Sequence, residues 1–230
     1  MPKPNTAATA RLTPQQTVER LVEAATTLLA EKGPSEIKAR SVCEAARVST
    51  MAVYYHLGGV PELLQAVADK GFRDLGRAFV NVPASDDPVT TLFAMALATR
   101  KFAQDNPHRY DLMFGLSTRG TYRPQKTSNS VASGSDEFQA AFAQLVLACI
   151  RLVRSGRIRS GEDPEIVATQ LWSAVHGFVT LELGDHLAQF SDPVREILQP
   201  MMVNVLVGLG DTAQLSDASH TAAVVASRAQ

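Results

Sequence analysis

Residues 40–64 read RSVCEAARVSTMAVYYHLGGVPELL, and their polar side chains are of kinds that bind phosphate. Arg40 and Arg47 carry guanidinium groups, Ser49, Thr50, Tyr54 and Tyr55 carry hydroxyls, and His56 adds a ring nitrogen. The apolar residues decide which way these point. Val53 and Leu57 are four apart and turn inward together. Val42, Ala45 and Ala46 give the preceding short helix a small apolar face, and Val48 plugs the turn. Thr50, Met51, Tyr54 and Tyr55 are left on or near the outer side of a helix over residues 50–57. A short helix, a three-residue turn at Arg47-Val48-Ser49 and a second short helix form a helix-turn-helix. The second helix would enter a major groove, with Thr50, Met51 and Tyr55 nearest the bases and Tyr54 on phosphate.

A second group lies downstream. Phe93, Leu97, Phe102, Tyr110, Met113, Phe114, Phe142, Leu145, Trp172 and His176 offer more aromatic and soft apolar surface than polar. A pocket built from them would take a mostly hydrophobic or aromatic small molecule, oriented by His176 or Tyr110. His176 equally suits a core histidine bonded to a backbone carbonyl. Glu182, Asp185 and His186 fall at i, i+3 and i+4, the spacing of a solvated polar face, and no His or Cys run joins them to make a metal site. Cys43 and Cys149 are 106 residues apart and form neither a disulfide framework nor a ligand pair. Cys149 sits on an apolar stripe as a core residue. No phosphate-binding, dinucleotide-binding, nucleophile-elbow or zinc-protease motif occurs, so no catalytic residue, no cofactor and no metal are expected.

The elements that must hold these groups are helices. Val18, Leu21, Val22, Ala25, Leu28 and Leu29 mark one face of a helix from Pro14 to Lys32, which Gly33-Pro34 ends. A short helix follows over residues 39–46, then the one over 50–57, closed by Gly58-Gly59. Pro61 opens a fourth, with Leu64, Val67, Ala68, Phe72 and Leu75 on its face. Pro88 starts a fifth, broken at Asn106-Pro107, and residues 117–135 are rich in Ser, Thr and Gly as a long mobile loop would be. Phe138, Phe142, Leu145, Cys149 and Leu152 step 4, 3, 4, 3 along a further helix. Asp163-Pro164-Glu165 opens another that runs to about Gln189, and a last one begins near Asp192-Pro193. Residues 211–230 carry little apolar bulk, and with residues 1–13 they are expected to be flexible tails.

Composition agrees with that outline. The chain has 230 residues with 45% hydrophobic and 20% charged, enough for a packed core, and lacks the ~20-residue apolar run of a membrane span. The polar start and the two unpaired cysteines suit the cytoplasm. Net charge is −1, but residues 1–60 carry seven Lys/Arg against five Glu, a local excess whose sign suits a phosphate-facing module.

The run from Val18 to Val67 resembles the N-terminal domain of TetR-family transcriptional regulators. The resemblance rests on Ala24-Ala25, Val42 to Ala46, Val48-Ser49, Tyr54-Tyr55-His56-Leu57 and Glu62-Leu63-Leu64, in that order and spacing. Asn106-Pro107 to Phe114 and Trp172 to Phe178 resemble a recurrent ligand-domain subtype with a Trp-x-x-x-His-Gly signature. There are departures. Arg47 stands where the family has Gly in the turn, Leu57 where it has Phe, and Val60 where it has a Lys that contacts phosphate. Ile37-Lys38 replaces the usual Thr/Ser start of the second helix.

The resemblance implies an all-α chain: a DNA-binding domain over residues 14–75 with its motif near 38–57, then a helical ligand-binding and dimerisation domain over 86–210. It implies a homodimeric repressor on a palindromic operator, released by a small effector. Arg40, Arg47, Ser49, Thr50, Met51, Tyr54, Tyr55 and His56 are the expected DNA-facing residues. Dimerisation is expected through the helices bearing Leu171, Val175, Phe178 and Val179, and Ile197, Leu198, Met201, Val205 and Leu209. The alternative, suggested by Arg47 and Val60, is a helical small-molecule-binding protein that has lost DNA binding.

Overall fold

The computed structural model describes residues 12–114 and 134–228. Among them every regular element is helical. α1 (Pro14–Lys32), α2 (Ala39–Ala45), α3 (Ala52–Leu57) and α4 (Val60–Val80) come first. α5 (Pro88–Asp105), α6 (Pro107–Phe114), α7 (Asp136–Arg154), α8 (Pro164–Leu183), α9 (Gln199–Leu209) and α10 (Ala213–Arg228) follow. A π-helical turn, Val194–Leu198, leads into α9.

Local chemistry sets the boundaries. Thr13 and Gln16 close a capping box around the start of α1, each side chain bonding the other's backbone N–H. Asp87, Ser135 and Asp163 accept N–H bonds at the starts of α5, α7 and α8, each cap stabilising its helix by about 1 kcal/mol. Leu21, Val22, Ala25, Leu28 and Leu29 of α1 pack on Val42 and Cys43 of α2, Val53 of α3, and Leu63 and Val67 of α4. α4 joins the two regions: its first turns meet α1 and α3, and its later turns meet α5, α6 and α7. One buried cluster runs through both regions without a break.

Three expectations need correction. Residues 213–228 form α10, which lies across α5 and α9. Its inward face is Ser216, Ser219, His220, Ala223 and Val224, all buried. Polar anchoring replaces apolar bulk there: Arg157 bonds Asp211 at 2.7 and 3.0 Å and Asp87 at 2.9 Å, while Thr90 donates to the Ser219 carbonyl at 3.1 Å. α8 stops at Leu183, and Asp185 has a left-handed backbone (φ 59°), so Glu182, Asp185 and His186 do not share a helix face. Glu182 instead takes a forked bond from Arg100 of α5.

The third concerns the proposed interface stripe. Leu171, Val175, Phe178, Val179, Leu198 and Leu209 are consumed inside the chain's own core, and Ile197, Met201 and Val205 pack partly against it. Residues 1–11, 115–133 and 229–230, with most of the expected loop over 117–135, lie outside the described residues. No helix among the described residues is long and apolar enough to cross a membrane.

Candidate functional site

α2 and α3 are held from beneath. Val42, Cys43 and Ala46 seat α2, while Ala45, expected inward, is exposed. Ala52 and Val53 seat α3, and Leu57 is only half-buried. The outer face of α3 is correspondingly bare. Met51 is 64% exposed, Tyr54 52% and Tyr55 84%, large side chains for a protein to leave in water on one short helix. Arg40, Arg47, Ser49 and Thr50 are exposed beside them, and His56 is half-buried with its ring edge-on to Tyr55 at 4.8 Å. Ser49 Oγ accepts the Met51 N–H at 3.3 Å, fixing the approach to α3. None of these eight residues enters an ion pair among the described residues. Arg47 takes φ 53°, the left-handed region in which a Cβ costs roughly 1–2 kcal/mol. The chain therefore holds a non-glycine residue at the turn against its backbone preference, a pattern that clusters at functional positions.

The second site is a small cavity of about 20 Å³, room for roughly one water. Leu92, Met95, Ala96 and Thr99 of α5 form one wall, and Leu171, Trp172, Val175 and His176 of α8 face it. Phe79, Tyr110, Leu145 and Met202 complete the lining. No lining residue is charged. Thr99 donates its hydroxyl to its own helix at Met95. Tyr110 and His176 bond each other, hydroxyl to Nδ1, at 2.9 Å. Burial pushes the Tyr110 phenol well above its ordinary value and the His176 imidazole below its own, so both are neutral at neutral pH.

Of the ten side chains expected in this pocket, Tyr110, Leu145, Trp172 and His176 line it. Phe114 and Phe142 belong to the aromatic cluster around it: Phe114 lies 4.3 Å from the His176 ring, and Phe142 6.0 Å from that of Trp172. Leu97 is half-buried against the core. The other three are placed elsewhere. Phe93 is on the opposite side of α5, 4.3 Å from the His220 ring. Phe102 lies under the Arg109 guanidinium at 5.0 Å. Met113 abuts Gly71 of α4, where an added Cβ would come within 2.4 Å of its sulfur. The residues not anticipated include Leu92, Met95 and Thr99, whose three- and four-residue spacing was available but competed with the Phe93 face.

α6 touches both regions. Arg109 bonds Asp74 of α4 at 2.8 Å and Asn106 at 2.6 Å. Burial works to raise the Asp74 carboxyl, but bonds from Arg77 and Lys70 and the charge of Arg109 outweigh it and hold Asp74 below its usual range. A wider groove of about 960 Å³ between α1, α4 and α7 is open to solvent and crossed by the Lys70–Glu23 and Arg73–Glu137 ion pairs. It lacks the enclosure of a small-molecule site.

A helix-turn-helix with an unpaired outer face, joined through α4 to a helical bundle, defines the class of helix-turn-helix transcriptional regulators. Comparison with known proteins narrows the class. Residues 92–205 match the family model described as tetracyclin repressor-like, C-terminal domain. An uncharacterised HTH-type transcriptional regulator of Mycobacterium tuberculosis, Rv0681, is 25% identical over 165 residues, covering 72% of this chain and 69% of that one. A protein of unknown function from Rhodococcus sp. RHA1 superposes with TM-score 0.69 at 22% identity, over 89% of this chain and 99% of that one. RolR in complex with resorcinol superposes with TM-score 0.63 at 18% identity, over 90% and 94%. Residues 92–205 are thus similar to the C-terminal domain of tetracyclin repressor-like proteins, and the chain is similar to an HTH-type transcriptional regulator over most of its length.

Proposed function

We propose that the protein is a homodimeric repressor that binds a palindromic operator and is released from it by a small, mostly apolar effector. The observation that carries this reading is the outer face of α3, where Met51, Tyr54 and Tyr55 stand exposed above a buried Val53. Residues 14–75 serve as the DNA-binding domain and residues 86–210, extended by α10, as the effector and dimer domain. Thr50, Met51 and Tyr55 read base edges. Tyr54 holds a phosphate, with Arg40, Arg47, Ser49 and His56 as flanking contacts.

Dimerisation uses the outer side of α8 and α9. Ile166 and Leu181 on α8 and Val207 on α9 remain exposed. Gly177 and Gly208 sit within these helices, yet a Cβ at either would meet nothing within 4 Å inside the chain. A mid-helix glycine such as Gly177 costs about 1 kcal/mol relative to alanine, and close approach of a second copy gives it a purpose.

The effector site is the cavity between α5 and α8. The resorcinol complex of RolR supports a small aromatic effector. At about 20 Å³ the cavity must enlarge to admit one, and α6, which carries Tyr110 on its cavity side, is bonded to α4 through Arg109. A ligand that prefers the enlarged state shifts α4, and with it the paired α3 helices, away from the operator spacing.

The test compares operator affinity of the wild type with Tyr54→Phe and Tyr55→Ala, on DNA flanking the protein's own gene. Tyr54→Phe should weaken binding to all sequences alike, about 5- to 10-fold, and Tyr55→Ala should erode preference for the operator. Unchanged affinity in both folded variants would overturn the assignment of this face of α3, and no binding to that DNA by the wild type would favour the alternative, a ligand-binding protein without DNA function.

A further inference from the structure

Resting on the effector-cavity reading above, we infer that the Tyr110–His176 pair selects an uncharged hydroxyl-bearing ligand, a phenol or alcohol on an apolar body, over its carboxylate and hydrocarbon counterparts. The inference starts from the proton count. Tyr110 Oη and His176 Nδ1 are 2.9 Å apart and share one proton. If the phenol donates to Nδ1, the imidazole proton sits on Nε2 and the phenol oxygen keeps a free lone pair. If Nδ1–H donates, the phenol hydrogen is free and Nε2 becomes an acceptor. In either tautomer the neutral pair offers a ligand one donor and one acceptor. A hydroxyl, donor and acceptor in one group, pairs with whichever of the two faces it in either tautomer.

The rest of the lining strengthens the selection. Thr99 spends its hydrogen on Met95, and apart from the indole N–H of Trp172 the remaining cavity residues are apolar. The nearby Arg100 guanidinium is closed in a fork onto Glu182, so it is committed and offers no counter-charge. A carboxylate entering the cavity would lose its hydration and find one donor from the pair, the Trp172 indole N–H at most besides, and no counter-charge. A hydrocarbon would leave the pair's remaining donor and acceptor dry and unpaired.

Enlarging the cavity costs nearly the same for ligands of one shape, so the ratio between a phenol and its methyl isostere reports the polar groups alone. Trp172 is the chain's one tryptophan and lines the cavity, which makes its emission a local reporter. The experiment titrates the full-length protein at neutral pH with 4-ethylphenol, its methyl isostere 4-ethyltoluene and 4-ethylbenzoate, following Trp172 emission and binding heat. It is repeated in Tyr110→Phe, which keeps the ring beside Phe114, and in His176→Phe.

The phenol is expected to bind about 10-fold tighter than the hydrocarbon, and the benzoate on the order of 100-fold more weakly than the phenol. In both variants the phenol-to-hydrocarbon ratio should collapse towards one. A benzoate that binds as tightly as the phenol, or a ratio untouched by either variant, overturns the selection while leaving the effector site standing, because Trp172 would still respond. If none of the three compounds alters Trp172 emission or the melting temperature, the effector-site reading falls and this inference falls with it.

Discussion

Arg109 and Tyr110 are consecutive residues of α6 that grip different helices: Arg109 bonds Asp74 of α4 at 2.8 Å, and Tyr110 bonds His176 of α8 at 2.9 Å. A displacement of α6 that disturbs one bond therefore bears on the other. These bonds link a cavity-lining residue to α4, the helix that continues into the helix-turn-helix region and whose Phe79 itself lines the cavity. Met113 adds steric contact on the same side, seated against Gly71.

Asp74→Ala removes the partner of a guanidinium that is only 11% exposed and already has an unpaired buried Nε. Destabilisation of about 2 kcal/mol is expected in chemical denaturation. Effector affinity should change less than the effector's ability to release DNA, since Asp74 does not line the cavity. Equal loss of both would mean that Asp74 supports the whole bundle and transmits nothing in particular.

Arg47→Gly separates backbone strain from side-chain use. Relief of the φ 53° conformation should raise stability by about 1 kcal/mol. Operator affinity should fall, and its dependence on salt should lessen by about one counterion. A more stable variant with unchanged DNA binding would remove Arg47 from the interface.

Acid should loosen α10. The His220 ring is 1% exposed, its Nδ1 lies 2.6 Å from the Ser216 carbonyl, and its Nε2 is buried without a partner. Burial holds its titration below the ordinary value of about 6.5, although the Ser216 carbonyl and the Asp217, Asp211 and Asp87 carboxylates pull the other way. A depressed histidine must lose stability as pH falls below its unfolded value, by up to about 1.4 kcal/mol per pH unit for one proton. His176, lowered in the same sense, adds to the slope. Denaturation midpoints from neutral pH down to pH ~5 should fall steeply in the wild type and less in His220→Leu. Parallel slopes for the two proteins would exclude His220.

Gly177→Leu tests the proposed interface from the opposite direction. Inside one chain the new side chain meets nothing within 4 Å of its Cβ, and it improves helix propensity. The isolated fold should be as stable or slightly more so. Sedimentation should show the dimer weakened by at least 10-fold, since bulk is inserted where helices approach closely. A dimer of undiminished strength would move the interface off this face of α8.

Much of the fold was legible because its signals are local. Gly33-Pro34, Asp87-Pro88 and Asp163-Pro164 mark their boundaries directly, and the stripe from Phe138 to Leu152 has a single reading. α10 was not legible because its buried face is Ser216, Ser219, His220 and Ala223, a polar face whose burial depends on Arg157 and Asp87 far away in sequence. The cavity was half legible. α5 is covered on one side by α10 and on the other by the cavity, so Leu92 and Phe93, adjacent and both buried, serve different neighbours. Periodicity marks both as inward, and only the packing of α10 assigns Phe93 away from the cavity.

The central claim is that α3 reads DNA, and selection from random duplex DNA tests it most directly. The full-length protein is used to enrich sequences, and the winners are measured by fluorescence anisotropy beside scrambled duplexes at fixed salt. The account predicts a palindrome with half-sites about 10 base pairs apart, or a multiple of that spacing. It should be bound at least 10³-fold more tightly than scrambled DNA, with that preference lost in Tyr55→Ala. Folded dimer that enriches nothing, or whose preferred site is bound equally well by Tyr55→Ala and Met51→Ala, would contradict it.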